Sequence, residues 1–582
     1  MNRASGILLP ISSLPSKYGI GTFSKEAYEF ADKLVEAGQS YWQILPLGPT
    51  GYGDSPYQPF STFAGNPYLI DLETLIEEEL LTKEECDGAD LVGHPNYVEY
   101  GKLYENRFPL LRKAYERSHI SENPDFQAFM RENEWWVKDY ALFMAVKKCF
   151  AGKPWSEWAQ DIRMRWGYSL DYYYSTYPEE IEFYEFLQFK FFEQWTKLKA
   201  YVNEIGLKII GDLPIYVAFD SADAWSCPQL FQFDEENYPV QVAGVPPDAF
   251  SETGQLWGNP LYRWDYHKQT GYDWWIRRMR HAKKLYDVVR IDHFRGFDEY
   301  FAVPALDETA MNGHWEKGPG IELFEVLKRE IPDMEVIAED LGVITPSVEK
   351  MVADSGFPNM HVLEFGFVPE DPMNTHMPYR YDTNSVVYTG THDNETLKGW
   401  FDDLEPERVA YIEKILETFM GRRDTVCWDI IRFGMMSSAN LCVVPMQDLL
   451  MLGNEARMNH PSTTGANWKW RMSAGTFDAA LIKRVRSMTK KAFRFFGEDE
   501  EVTEEESVVD KAAASVEKVS EKAEETAVAV KNTAKGAQSE MQEAAKPEKK
   551  AAAVQTATEN NNAAKVGKKA YHGKRNRGAR KH

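Results

Sequence analysis

A (β/α)8 barrel is the fold class this sequence predicts, and three observations predict it. Short β-branched apolar runs recur eight times, most of them separated by helix-like segments, and buried parallel strands read that way. Four of these runs end on an acid. Asp212 follows Leu207-Lys208-Ile209-Ile210-Gly211, Asp292 follows Val288-Val289-Arg290-Ile291, Glu339 follows Glu335-Val336-Ile337-Ala338, and Asp393 closes the run from Val386 to His392. The carboxyl ends of the strands are where such a barrel builds its active site. The 582 residues exceed one ordinary compact domain and suffice for a barrel with insertions.

The strands are expected at 6–11, 41–46, 207–212, 288–292, 335–339, 361–365, 385–392 and 441–446. Helices are expected at 24–37, where Ser24 precedes an apolar 3–4 pattern, and at 274–286 and 321–329. The spacing is uneven. Between the second and third strands, 98–202 is dense in Trp, Tyr, Phe, Glu and Lys with few Gly or Pro, which predicts a largely helical inserted subdomain over about 71–202. Between the third and fourth strands, 228–264 is rich in Gly, Pro and aromatics. A long loop of this kind is usually a lid or binding loop, and a substrate-covering loop is expected at about 242–262. Past 497 the composition changes: 498–506 is nearly all acidic, 511–553 is rich in Ala, Glu, Lys and Val with no aromatic, and 565–582 is basic. Val509, Val516, Val519, Ala523 and Val530 keep a rough 3–4 spacing. So 1–497 is expected to be the catalytic barrel, and 498–582 a solvated tail, disordered or partly helical.

The formal net charge of −24 argues against general nucleic-acid binding by the body. The basic end is available to an anionic partner of unspecified kind. The five cysteines form no CxxC pair and are widely scattered, which suggests reduced thiols in the cytoplasm and no zinc site. No segment is long and apolar enough to span a bilayer. Aromatics make up 14% of the chain, with 17 Trp and 30 Tyr, and flat faces with polar tips suit a sugar-binding cleft.

The chemistry is carried by acids at strand ends. Alternation along a strand points Arg290 and Asp292 to the same side. A guanidinium there is expected to keep Asp292 ionised, as a glycosidic nucleophile must be. Glu339 ends the next strand, and neighbouring strands lie about 4.8 Å apart, so the two acids can flank one glycosidic bond. The charge of Asp292 is expected to raise the pKa of Glu339 and leave it protonated as the acid/base. Asp340 points the other way. Asp393 is a candidate to bind sugar hydroxyls and stabilise an oxocarbenium-like transition state, and His392 a candidate donor to the same ring.

This set resembles the amylomaltases, the 4-α-glucanotransferases of glycoside hydrolase family 77 in the wider α-amylase clan. The resemblance covers nearly all of 1–495. It is carried by Gly51-Tyr52-Gly53-Asp54-Ser55-Pro56-Tyr57-Gln58, Gly211-Asp212-Leu213-Pro214-Ile215-Tyr216, Val242-Ala243-Gly244-Val245-Pro246-Pro247-Asp248, Gly254-Gln255-Leu256-Trp257-Gly258-Asn259-Pro260, Arg290-Ile291-Asp292-His293-Phe294-Arg295, Glu339-Asp340-Leu341-Gly342 and Gly390-Thr391-His392-Asp393-Asn394. It implies Asp292 as nucleophile, Glu339 as acid/base and Asp393 as transition-state stabiliser. It implies contacts to substrate from Tyr57, Asp212, Arg290, His392 and Ser55, and a mobile covering loop whose Asp248, Phe250, Gln255 and Trp257 face sugar. No cofactor or metal is implied.

The function expected is a retaining transfer of α-1,4-glucan segments between maltodextrins, with a sugar acceptor and release of glucose. The alternatives are an α-1,4-glucan hydrolase on the same scaffold and a non-catalytic glycan-binding protein. The residues alone do not choose transfer over hydrolysis.

Overall fold

The computed structural model describes residues 2–51, 53–247, 251–461 and 463–495, all within one compact unit. The expectations for 498–582, including the Val509–Val530 spacing, lie outside the described residues, as do Asp248 and Phe250.

Twelve strands are described: β1 (Ala4–Leu8), β2 (Tyr41–Gln43), β3 (Lys208–Leu213), β4 (Gln241–Val245), β5 (Gln255–Pro260), β6 (Val288–Ile291), β7 (Glu299–Pro304), β8 (His314–Lys317), β9 (Glu335–Ala338), β10 (Asn359–Val362), β11 (Ser385–Tyr388) and β12 (Leu441–Pro445). Eight of them form one parallel sheet in the order β10-β11-β12-β1-β2-β3-β6-β9. The Ala338 N–H donates to Pro358 O at 3.0 Å, bringing β9 to the start of β10 and closing the ring. The barrel is the predicted one, and each of its strands overlaps its predicted run. Runs such as Val288-Val289-Arg290-Ile291 are buried along their whole length, because one face fills the barrel and the other lies under helices. Inside the barrel, the Tyr388 hydroxyl donates to Gln43 Oε1 at 2.8 Å, so the interior is a packed core.

Close approach fixes one residue beside the acids. A Cβ on Gly211 would stand 2.1 Å from the Tyr286 ring, so the strand presents Asp212 inward only with glycine on its outer side. Between β2 and β3 the chain is helical, with long helices at Tyr100–Ser118, Pro124–Cys149 and Pro178–Glu204. Two buried glutamines of the last helix clamp the loop after β2. Gln188 exchanges hydrogen bonds with both backbone groups of Gly65, at 2.7 and 2.9 Å, and Gln194 does the same for Asp71, at 2.6 and 3.3 Å.

The second sheet departs from the sequence expectation. The span expected as a loop carries β4 and β5, which join β7 and β8 in an antiparallel sheet of order β5-β4-β7-β8. Its ladder is completed by β7, which lies beyond β6 in the chain. No local alternation announces it, and β8 is largely exposed. Both hairpins follow barrel strands, β3 and β6, and so rise from the carboxyl edge of the barrel.

Candidate active site

The ladder itself sets the acids side by side. β3 and β6 pair Asp212 with Arg290, and β6 and β9 pair Arg290 with Ile337 and Ile291 with Ala338. Continuing that register by one residue sets Asp292 opposite Glu339. Pairing does continue, since the Glu339 N–H donates to Ile291 O at 3.1 Å and the Asp292 N–H to Leu213 O at 3.0 Å.

Arg290 ties the acids together. Its Nη1 donates to both oxygens of Asp212, at 2.7 and 2.6 Å, and to Asp292 Oδ1 at 3.1 Å. The Asp212 side chain is fully buried, while that of Asp292 keeps 26% of its surface open. The Tyr57 hydroxyl donates to Asp212 Oδ2 at 2.7 Å. The Tyr57 ring stacks on His392, with centroids 5.0 Å apart and planes 17° from parallel. His392 Nε2 lies 3.3 Å from Asp393 Oδ2, and Asn459 Nδ2 donates to Asp393 Oδ1 at 2.6 Å. Glu339 accepts at both oxygens, from the His293 N–H at 2.6 Å and the Leu341 N–H at 2.9 Å. His293, the donor of the first of these bonds, has a left-handed backbone, φ 51°.

Burial decides the charge states, and it corrects one expectation. Arg290 was expected to hold Asp292 ionised. Burial instead pushes the Asp292 carboxyl up to about 7; Arg290 opposes it, while Asp212, Glu339 and Asp393 add to it. Glu339 is also raised, but burial is the largest cause, with Arg290 and the two backbone N–H groups pulling it down. Two neighbouring acids beside one guanidinium, both raised, suit one ionised nucleophile and one proton donor near neutrality. Asp393 behaves differently. Burial raises it, but His392, Asn459 and Arg290 together outweigh that and hold it well below the ordinary carboxylate range. Burial lowers His392, yet the charge and hydrogen bond of Asp393 leave it raised overall.

This gives a testable contrast. In the unmutated protein the His392 imidazole should titrate above its ordinary value of about 6.5. In Asp393→Asn the acid that raises it is gone while burial remains, so the same ring should titrate lower. Side-chain NMR of the imidazole across pH 5–9 checks this, and an unchanged His392 titration would remove the pair from the argument.

Asp292, Arg290, Asp212, Tyr57, His392 and Asp393 thus stand in one network, with Glu339 at the adjacent strand end. Trp257 approaches it through His293, ring edge to face at 4.9 Å. Gln255 Oε1 accepts from Trp257 Nε1 at 3.2 Å, and Gln255 has no bond to the network. The Ser55 hydroxyl accepts the Tyr57 N–H at 3.2 Å, so it shapes the turn that presents Tyr57. Asp340 points outward and accepts the Met360 N–H at 2.9 Å. Sequence reasoning missed Asn459, and Trp468, whose ring lies 5.6 Å from Tyr57 and 6.0 Å from His392. Both belong to the irregular chain after β12, where no periodicity marks them.

A family profile described as 4-alpha-glucanotransferase (glycoside hydrolase 77) matches residues 9–477. The 4-alpha-glucanotransferase of Clostridium butyricum is 46% identical over 482 residues, covering 82% of this chain and 98% of that protein. That of Thermus thermophilus is 46% identical over 499 residues, 84% of this chain and 98% of that protein. The solved amylomaltase from Streptococcus agalactiae, in complex with acarbose, superposes with a TM-score of 0.82 at 41% identity, covering 85% of this chain and all of that one.

Proposed function

We propose, from the premise that this chain belongs to the glycoside hydrolase 77 family of 4-alpha-glucanotransferases, that Asp292 is its nucleophile and Glu339 its proton donor and acceptor. The activity of the chain is that of the family, retaining transfer of α-1,4-glucan segments between maltodextrins.

In the first step an Asp292 oxygen attacks the anomeric carbon. The bond from that carbon to the glycosidic oxygen breaks, and Glu339 delivers a proton to the departing oxygen. A glucosyl ester remains on Asp292, and the reducing-end piece leaves, as glucose when it is one residue long. In the second step the 4-hydroxyl of an acceptor sugar attacks the same carbon. Glu339 takes its proton back, and the ester bond to Asp292 breaks. Asp393, held ionised and 44% open, faces the positive charge that develops on the ring, while His392 and Tyr57 meet hydroxyls. The segment carrying Gln255 and Trp257, with Asp248 and Phe250, is proposed to cover the sugar and keep water from the ester. The observation that carries the assignment is the β6–β9 register, which sets Asp292 and Glu339 at adjacent strand ends beside Arg290.

The acid/base role is tested with Glu339→Gln and two donors. With maltotriose, whose leaving oxygen needs a proton, transfer should fall by about 10³-fold. With α-glucosyl fluoride, whose leaving group needs none, formation of the glucosyl-enzyme should persist. An equal loss on both donors would take the proton role away from Glu339.

All five cysteines are free thiols, which supports the cytoplasm as the proposed compartment. Among the described residues no helix is long and apolar enough to cross a membrane. The basic residues of 565–582 are proposed, on their charge alone, to meet an anionic partner.

A further inference from the structure

A second cleft, of about 240 Å³, lies between the helix Pro124–Cys149 and the start of the helix Asp273–Leu285. None of the residues lining it belongs to the acid network. Its apolar walls are aromatic. Trp135 leaves 41% of its surface open, and its ring packs edge to face on Phe63 at 4.7 Å. Trp274 packs edge to face with the same phenylalanine at 6.2 Å, and Tyr266 also lines the cleft.

The polar groups of the cleft narrow the ligand. Asp139 spends Oδ1 on Arg165 at 2.6 Å, and Asp273 spends Oδ2 on the Arg277 Nε at 2.9 Å. Each keeps a second oxygen with no hydrogen bond from the described residues, and the exposed Gln229 amide stands beside them. An anion would meet these carboxylates while the nearby arginines are already engaged. A cation would find Asp139 and Asp273 already paired, and the third carboxylate of the lining, Asp223, buried and accepting the Thr62 N–H at 2.8 Å. A purely apolar partner would strip water from the free oxygens and the amide with no replacement bonds. A neutral polyol satisfies all three conditions, since the apolar face of a sugar ring covers an indole while its hydroxyls donate to carboxylate oxygens.

We infer that this cleft is a second α-1,4-glucan binding site, holding part of a long chain away from the reacting bond. The inference rests on the glucan-transfer reading, which supplies the polyol this protein handles. Trp135 is partly exposed, so Trp135→Ala should fold, and Gln229→Ala is a milder companion. With the full chain, Trp135→Ala should raise KM for long amylose by about five- to tenfold and leave kcat/KM for maltotriose within about twofold. Maltoheptaose titrated calorimetrically into Asp292→Asn should fill two sites, and into Asp292→Asn with Trp135→Ala only one. An unchanged KM for amylose, an equal loss on both substrates, or a single site in the Asp292→Asn protein would overturn the inference. Failure of the transfer reading would show separately, as no longer chains formed from maltotriose by the unmutated protein.

Discussion

Asp292→Asn is expected to fold and bind maltodextrin yet turn over at least about 10⁴-fold more slowly than the unmutated chain. The amide has the size of the acid and keeps an acceptor for Arg290 Nη1, now 3.1 Å from Oδ1. What it lacks is a nucleophilic oxygen able to form the glucosyl ester. Stability should move the other way. Asp212, Glu339 and Asp393 each make a charge at Asp292 costlier, so neutralising it removes a repulsion that the site keeps for its chemistry. The denaturation midpoint should hold or rise, the usual exchange of function for stability. The check is a time course with maltotriose, resolved by chain length, beside a melt of both proteins. The unmutated chain should give glucose and a ladder of longer maltodextrins, and the variant neither. Residual turnover above about 1% would remove Asp292 from the nucleophile's role, and a sharp fall in the midpoint would trace the loss to unfolding.

The acids of this site were legible because strand periodicity carries them. Parity along Val288–Ile291 placed Arg290 and Asp292 on one side, and the bond between them has that geometry. The same parity sent Asp340 outward. The ends of the runs were less legible. Leu363–Gly366 looked like strand and is helical. The run expected to reach 392 stops at Tyr388, because Asn394 Oδ1 captures the Thr391 N–H and hydroxyl and turns the chain. The small sheet was illegible because β4 gains β7 only after the barrel has brought them together. Asn459 was illegible for the same reason, as it reaches Asp393 through the fold and not through spacing. Charge states were read from neighbouring charges, whereas burial, a property of the assembled cleft, is the largest cause at both Asp292 and Glu339.

Arg290→Met should cost both activity and stability, and the stability cost should depend on pH. The guanidinium is the cation bonded to Asp212 and Asp292, and its own charge is strengthened by them and by Glu339 and Tyr57 against the burial that weakens it. Removing it leaves buried carboxylates uncompensated, a loss of about 3–5 kcal/mol when they stay charged. Asp292 has an escape. Burial already raises it to about 7 against the opposition of Arg290, and without that opposition it rises further and takes up a proton. A carboxyl whose folded pKa lies above its unfolded value of about 3.9 contributes stability that is fully present below that value and is lost as pH rises through the folded pKa. The gap in denaturation midpoint between the unmutated chain and Arg290→Met should therefore be smallest near pH 5 and widest near pH 8. Arg290→Lys separates charge from geometry. Its ammonium restores a cation, so the gap should lose most of its pH dependence, but a point charge on a different stem does not reproduce the Nη1 contacts to both acids. Transfer should then remain low even where stability recovers. A gap of constant width across pH in Arg290→Met would mean that Arg290 holds the site by packing and that its charge does not set the state of Asp292.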